Sequence, residues 1–74
     1  MAERIVQEEL VRRRWKAGEL ERRAKGDLEK VKMAQRLREE TMVTMEWIAE
    51  RLAMGSVGYV NNRLYLFRHN RVRE

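Results

Sequence analysis

With 74 residues, no Cys, no Pro and one His, the chain has room for one small domain and for no disulfide or thiolate zinc site. His69 alone cannot make an imidazole metal cluster or a triad, and no apolar run reaches the roughly 20 residues that span a bilayer. Seventeen Lys and Arg against 12 Asp and Glu leave a net charge of +5, and Met1-Ala2-Glu3-Arg4 lacks the apolar segment of a signal peptide. These features set the expectation of a cytoplasmic, non-enzymatic domain without cofactors.

The content of Glu, Arg, Leu, Ala and Lys, with β-branched residues that never alternate over a useful length, predicts an all-α fold. We expect a small bundle of four to five helices. A first helix over Ala2 to Arg14 places Ile5, Val6 and Leu10 on one face, and Trp15 closes the core behind it. Gly18 interrupts, and a short helix follows over Glu19 to Ala24, anchored by Leu20. At Lys25-Gly26-Asp27, Gly26 suits the left-handed end of a helix and Asp27 can accept from the free amides of the next one. The third helix, Leu28 to Glu40, aligns Val31, Ala34, Leu37 and Thr41. Lys30, Lys32, Arg36, Arg38, Glu29, Glu39 and Glu40 are expected on its solvated side.

Thr44 is an N-cap candidate, and Met45, Ile48, Ala49 and Leu52 repeat at helical spacing after it. Gly55-Ser56 ends that helix and opens another with Ser56 as cap. Val57, Val60, Leu64 and Phe67 then form one buried edge, leaving Gly58, Tyr59, Asn61, Asn62, Arg63, Tyr65 and Arg68 outward. The turn holds one irregularity: either it is slightly long, or Ala53 takes the place where a Gly is usual. Two short helices joined by a tight turn are the sequence image of a helix-turn-helix. The expected division is a helical scaffold over 1–40, the helix-turn-helix over 41–68 and a basic tail over 69–74, all in one domain.

The charge is uneven along the chain. Residues 1–50 carry 12 basic and 11 acidic groups, whereas 51–74 carry Arg51, Arg63, Arg68, Arg71 and Arg73 against Glu74 alone. Arg offers a planar fork to phosphate and guanine, and Asn can pair bidentately with adenine. Asn61, Asn62, Tyr59 and Arg63 are therefore the expected base contacts of a helix in the major groove. Arg51, Arg68, Arg71 and Arg73, with the Ser56 end of the helix, are the expected phosphate contacts.

The residues Lys25-Gly26-Asp27, Lys30-Val31, Ala34, Leu37-Arg38, Glu40-Thr41, Thr44, Trp47-Ile48-Ala49, Arg51-Leu52, Met54-Gly55-Ser56 and Tyr59-Val60 resemble a helical module at the C-terminus of some bacterial REP-associated tyrosine transposases and related short reading frames. The likeness extends upstream through Glu3, Leu10, Trp15 and Leu20. It implies an accessory DNA-binding helix-turn-helix at Ser56, Tyr59 and the polar residues after Val60, in the bacterial cytoplasm at the nucleoid. Two positions depart from the family pattern: Arg14 stands where a Gly precedes the Trp, and Thr41-Met42-Val43-Thr44 replaces a Thr-Thr-Met-Thr entry. The His-hydrophobe-His metal motif of the catalytic domain is missing, so no catalytic role passes to Tyr59 or Tyr65.

The expected partner is double-stranded DNA, and no membrane partner is expected. A second reading, from another class, is a protein-interaction or dimerisation module. Met42, Met45 and Met54, with two Trp, supply apolar material for a partner, and a homodimer is compatible with either reading. Adjacent acids such as Glu8-Glu9 and Glu39-Glu40 diverge around their helices and offer no paired-carboxylate chemistry.

Overall fold

The computed structural model describes the backbone of residues 2–16 and 18–73, with side chains as far as His69. Five helices account for the regular structure: α1 (Ala2–Arg13), α2 (Glu19–Arg22), α3 (Leu28–Glu40), α4 (Met45–Arg51) and α5 (Val57–Arg73). The fold is all-α, and there is no strand among the described residues. Helix α3 is the central element, packing against α1 on one side and against α4 and α5 on the other, while α4 also packs on α5.

Local chemistry explains most boundaries. The Asp27 side chain accepts from the Glu29 amide at 2.8 Å and starts α3. At the other end the Thr41 hydroxyl donates to the Leu37 carbonyl at 2.7 Å and accepts from the Val43 amide at 3.3 Å, closing the helix. Thr44 accepts from the Trp47 amide at 3.1 Å, and Ser56 from the Tyr59 amide at 3.2 Å, so both expected caps form.

Helices α1 and α4 end in the same way. The Trp15 amide reaches back to the Leu10 carbonyl and the Arg14 amide to Val11, with Arg14 left-handed at φ 61°. The Met54 amide reaches the Ala49 carbonyl and the Ala53 amide reaches Glu50, with Ala53 at φ 54°. Both are Schellman closures whose left-handed residue is not Gly. Ala53 thus takes the usual Gly position, and Gly55 supplies a second left-handed turn at φ 87°.

The core draws on every helix. Ile5, Val6, Leu10, Leu20, Val31, Met33, Ala34, Leu37, Ile48, Leu52, Met54, Val60 and Leu64 are all buried in one cluster, with Trp15, Trp47 and Phe67 packed half-exposed at its margin. Each fully buried Leu or Ile contributes about 1.5–3 kcal/mol. The scaffold over 1–40 and the hairpin over 41–68 therefore share one interior.

Several expectations need correction. Helices α1, α2 and α4 stop at Arg13, Arg22 and Arg51, each shortened by the turn that follows. The expected tail from residue 69 continues the α5 helix through Arg73. Gly26 is not left-handed. It is small because α5 lies over it: a Cβ there would sit 2.5 Å from Tyr59 Oη. Finally, Lys30 and Arg36 are not on a solvated face. Lys30 is fully buried beside Met33 and Leu37, and its Nζ donates to the Arg23 carbonyl at 3.1 Å and to Ala53 at 3.2 Å. Burial pushes the Lys30 pKa below its ordinary value, the Coulombic attraction of Asp27 and Glu21 offsetting part of this. The ammonium pins the end of α2 to the turn between α4 and α5. Arg36 bridges α3 to Glu8 and Glu9 of α1.

Candidate nucleic-acid interface

Ser56, Tyr59, Asn61, Asn62, Arg63 and Arg68 all belong to α5 or its cap, and the structure sorts them around that helix. Asn61, Asn62, Tyr65, Leu66, Arg68 and His69 are exposed. Two i,i+4 rows run along the outward surface, Asn61 above Tyr65 and Asn62 above Leu66. Tyr65 stacks in turn on His69, ring centroids 4.1 Å apart. Tyr65 and Leu66 keep 53% and 41% of their surface in water, so the outer face combines amide and apolar groups.

Tyr59 and Arg63 lie elsewhere. Both are half-buried against the turn between α2 and α3. A Cβ placed on Gly26 would meet Arg63 Nε at 3.2 Å as well as Tyr59 Oη, and the Arg63 guanidinium stands 5.7 Å from the Tyr59 ring centre. The expected base contacts Tyr59 and Arg63 are therefore drawn to one flank of α5, because the smallness of Gly26 admits them there. Lys25 joins the same corner, its Cδ 3.3 Å from where a Cβ on Gly55 would stand. The sequence reading missed Lys25. Its only local signal was a cation beside a Gly, and the contact with Gly55 lies 30 residues along the chain, beyond α3 and α4.

Arg68 occupies the opposite flank, about 140° from Arg63 around the core side of the helix. Among the described residues, none of Lys25, Arg63 and Arg68 forms an ion pair. Helix α5 contains no Asp or Glu. Its outer face is thus polar and apolar at the centre and cationic at both edges.

Arg51 is not part of this surface. Its guanidinium grips Glu3 of α1 bidentately, Nε to Oε1 at 2.8 Å and Nη2 to Oε2 at 2.6 Å. That pairing raises the Arg51 pKa, and the Arg51 hydrogen bonds hold the Glu3 carboxyl at about 2. A phosphate would have to displace Glu3. The Ser56 end of α5 is also less suited to an anion than expected. A hollow of about 300 Å³ there is lined by Glu46, Ala49, Glu50, Gly55, Ser56 and Val57, so a phosphate would face two carboxylates. Ser56 acts as a cap. The side chains of Arg71 and Arg73 lie outside the described residues.

The remaining charge is tied up between α1 and α3. Glu9, only 3% exposed, accepts from Arg13 and, at 2.5 Å, from Arg36. Arg36 also reaches Glu8 at 3.0 Å and Glu40 at 3.2 Å, and Arg13 reaches Glu29 at 3.0 Å. Burial alone would raise the Glu9 pKa, but the hydrogen bonds from Arg13 and Arg36 outweigh it and hold the carboxyl below its ordinary range. A hollow of about 520 Å³ between these helices is lined by these ion-paired side chains.

No protein-family model matches the chain, and no curated protein or solved structure matches it either. Among the described residues no helix is long and apolar enough to cross a membrane.

Proposed function

We propose that this chain is a non-enzymatic DNA-binding helix-turn-helix protein whose α5 enters the major groove of double-stranded DNA. The observation that carries the reading is the acid-free face of α5, flanked on both edges by cations with no ion pair among the described residues. A helix lying in the groove has a phosphate strand on either side of it. Arg63 and Lys25 serve one strand, Arg68 the other, and Asn61 and Asn62 face the bases between them. Phosphate contacts set affinity and register, and the outward amides discriminate. The three-helix packing of α3, α4 and α5 supports this use of α5, since two helices brace the one that reads. The resemblance to the transposase-associated module adds a setting: a bacterial nucleoid protein linked to a mobile element.

A mobility-shift titration over a salt series tests the reading. Log K should fall with log salt by about 0.9 for each phosphate neutralised. Absence of any binding at low salt would end it. The interaction-module alternative rests on Met42, 98% exposed, and Val11, 74% exposed. It leaves the cationic edges of α5 without a role, although a dimer reading two half-sites accommodates both.

A further inference from the structure

Resting on that DNA reading, we infer that α5 is built to read A·T base pairs: Asn61 and Asn62 on adenines, with Tyr65 and Leu66 against thymine methyl groups. In the major groove an adenine presents an acceptor and a donor that an Asn amide matches bidentately, a guanine presents two acceptors that call for Arg or Lys, and thymine alone presents a methyl. Among the described side chains of α5, the guanine readers stand off the centre of the outer face. Arg63 stands over the Tyr59 ring and against Gly26, and exposed Arg68 stands at the opposite edge of the outer face, about 140° from Arg63. No Lys occurs in α5. The two amides and two apolar groups remain outward, each amide one turn before an apolar side chain. One helical turn advances about 5.4 Å, between one and two base steps of about 3.4 Å. An adenine contact and a thymine methyl contact in each row therefore fall on neighbouring base pairs. Tyr65 and Leu66 are solvent-exposed in the middle of a polar face, Tyr65 with His69 as its ring neighbour, and a methyl group in the groove floor gives both an apolar contact.

Selection from duplexes with a randomised core, using the full chain, tests this. The expected result is enrichment of A·T pairs. In the selected duplex, deoxyuridine in place of thymine should weaken binding about fivefold, and Leu66→Ala should reduce that difference by about half, Tyr65 keeping the rest. Asn61→Ala or Asn62→Ala should each cut the preference for the selected duplex about tenfold. Because all three side chains are exposed, these variants should keep the wild-type circular dichroism and melting point. Enrichment of G·C pairs, or retention of duplexes without any enrichment, would overturn the A·T assignment while leaving DNA binding intact. Retention of no duplex at low salt would overturn both.

Discussion

The α1–α3 interface and the α5 face are both rich in cations, and they use them in opposite ways. Between α1 and α3, Arg13 and Arg36 have Glu8, Glu9, Glu29 and Glu40 for partners, and one of those carboxylates is buried. On α5 and the turn beneath it, Lys25, Arg63 and Arg68 have no carboxylate partner among the described residues. The first arrangement spends its charge inside the fold, and the second leaves it for an external anion. Net charge alone does not separate them, but pairing does.

Breaking the paired region should give the largest effect on stability. Glu9→Ala leaves Arg13 and Arg36 without their shared carboxylate. It should cost about 2–3 kcal/mol, lowering the melting midpoint by roughly 10 °C. Affinity of the folded protein for DNA should stay within twofold, since the change is remote from α5. Thermal melts and titrations of the same sample check both halves of that statement.

Lys30 sits under the junction of the two regions and should come next. Lys30→Met keeps much of the buried volume but leaves the Arg23 and Ala53 carbonyls without their donor, at a cost of about 1–2 kcal/mol. Urea unfolding measures it. In the other direction, Ala53→Gly relieves a left-handed backbone and should stabilise by about 0.5–1 kcal/mol. A melting point that falls instead would mean that the left-handed turn is not strained.

The Glu3–Arg51 pair gives the smallest effect and shows itself through pH. The Glu3 carboxyl drops from an ordinary value of 4.5 to about 2 in the folded state. Its contribution is therefore complete above about pH 4.5 and is lost as the pH falls towards 2. Between pH 5 and 2 the melting point of Glu3→Gln should fall less steeply than that of the wild type.

Much of the framework was legible from sequence, because caps and periodicity are local. Asp27, Thr44 and Ser56 announced three helix starts through hydroxyl or carboxylate chemistry at the right offset. The burial of Lys30 was not read, although Lys30, Met33 and Leu37 share a helical row; a cation is assigned outward by type unless its row is counted. Arg14 and Ala53 are ordinary residues at left-handed sites, and their signals were positional: the missing Gly before Trp15 for the first, and the turn's spacing, which offered Ala53 the usual Gly position, for the second. The outward face of α5 was read correctly at Asn61, Asn62 and Tyr65, with Arg68 at its edge. Tyr59, Arg63 and Arg51 were misplaced because their partners, Gly26 and Glu3, lie 33, 37 and 48 residues away in sequence.

The most direct test of the central claim compares one cation from each region on one DNA duplex over a salt series. Arg63→Ala on α5 should weaken binding to all sequences and reduce the salt slope by about 0.9. Arg4→Ala, which removes an exposed partner of Glu8 on α1, should leave both affinity and slope unchanged. Equal losses from the two variants, or no loss from Arg63→Ala, would contradict the account.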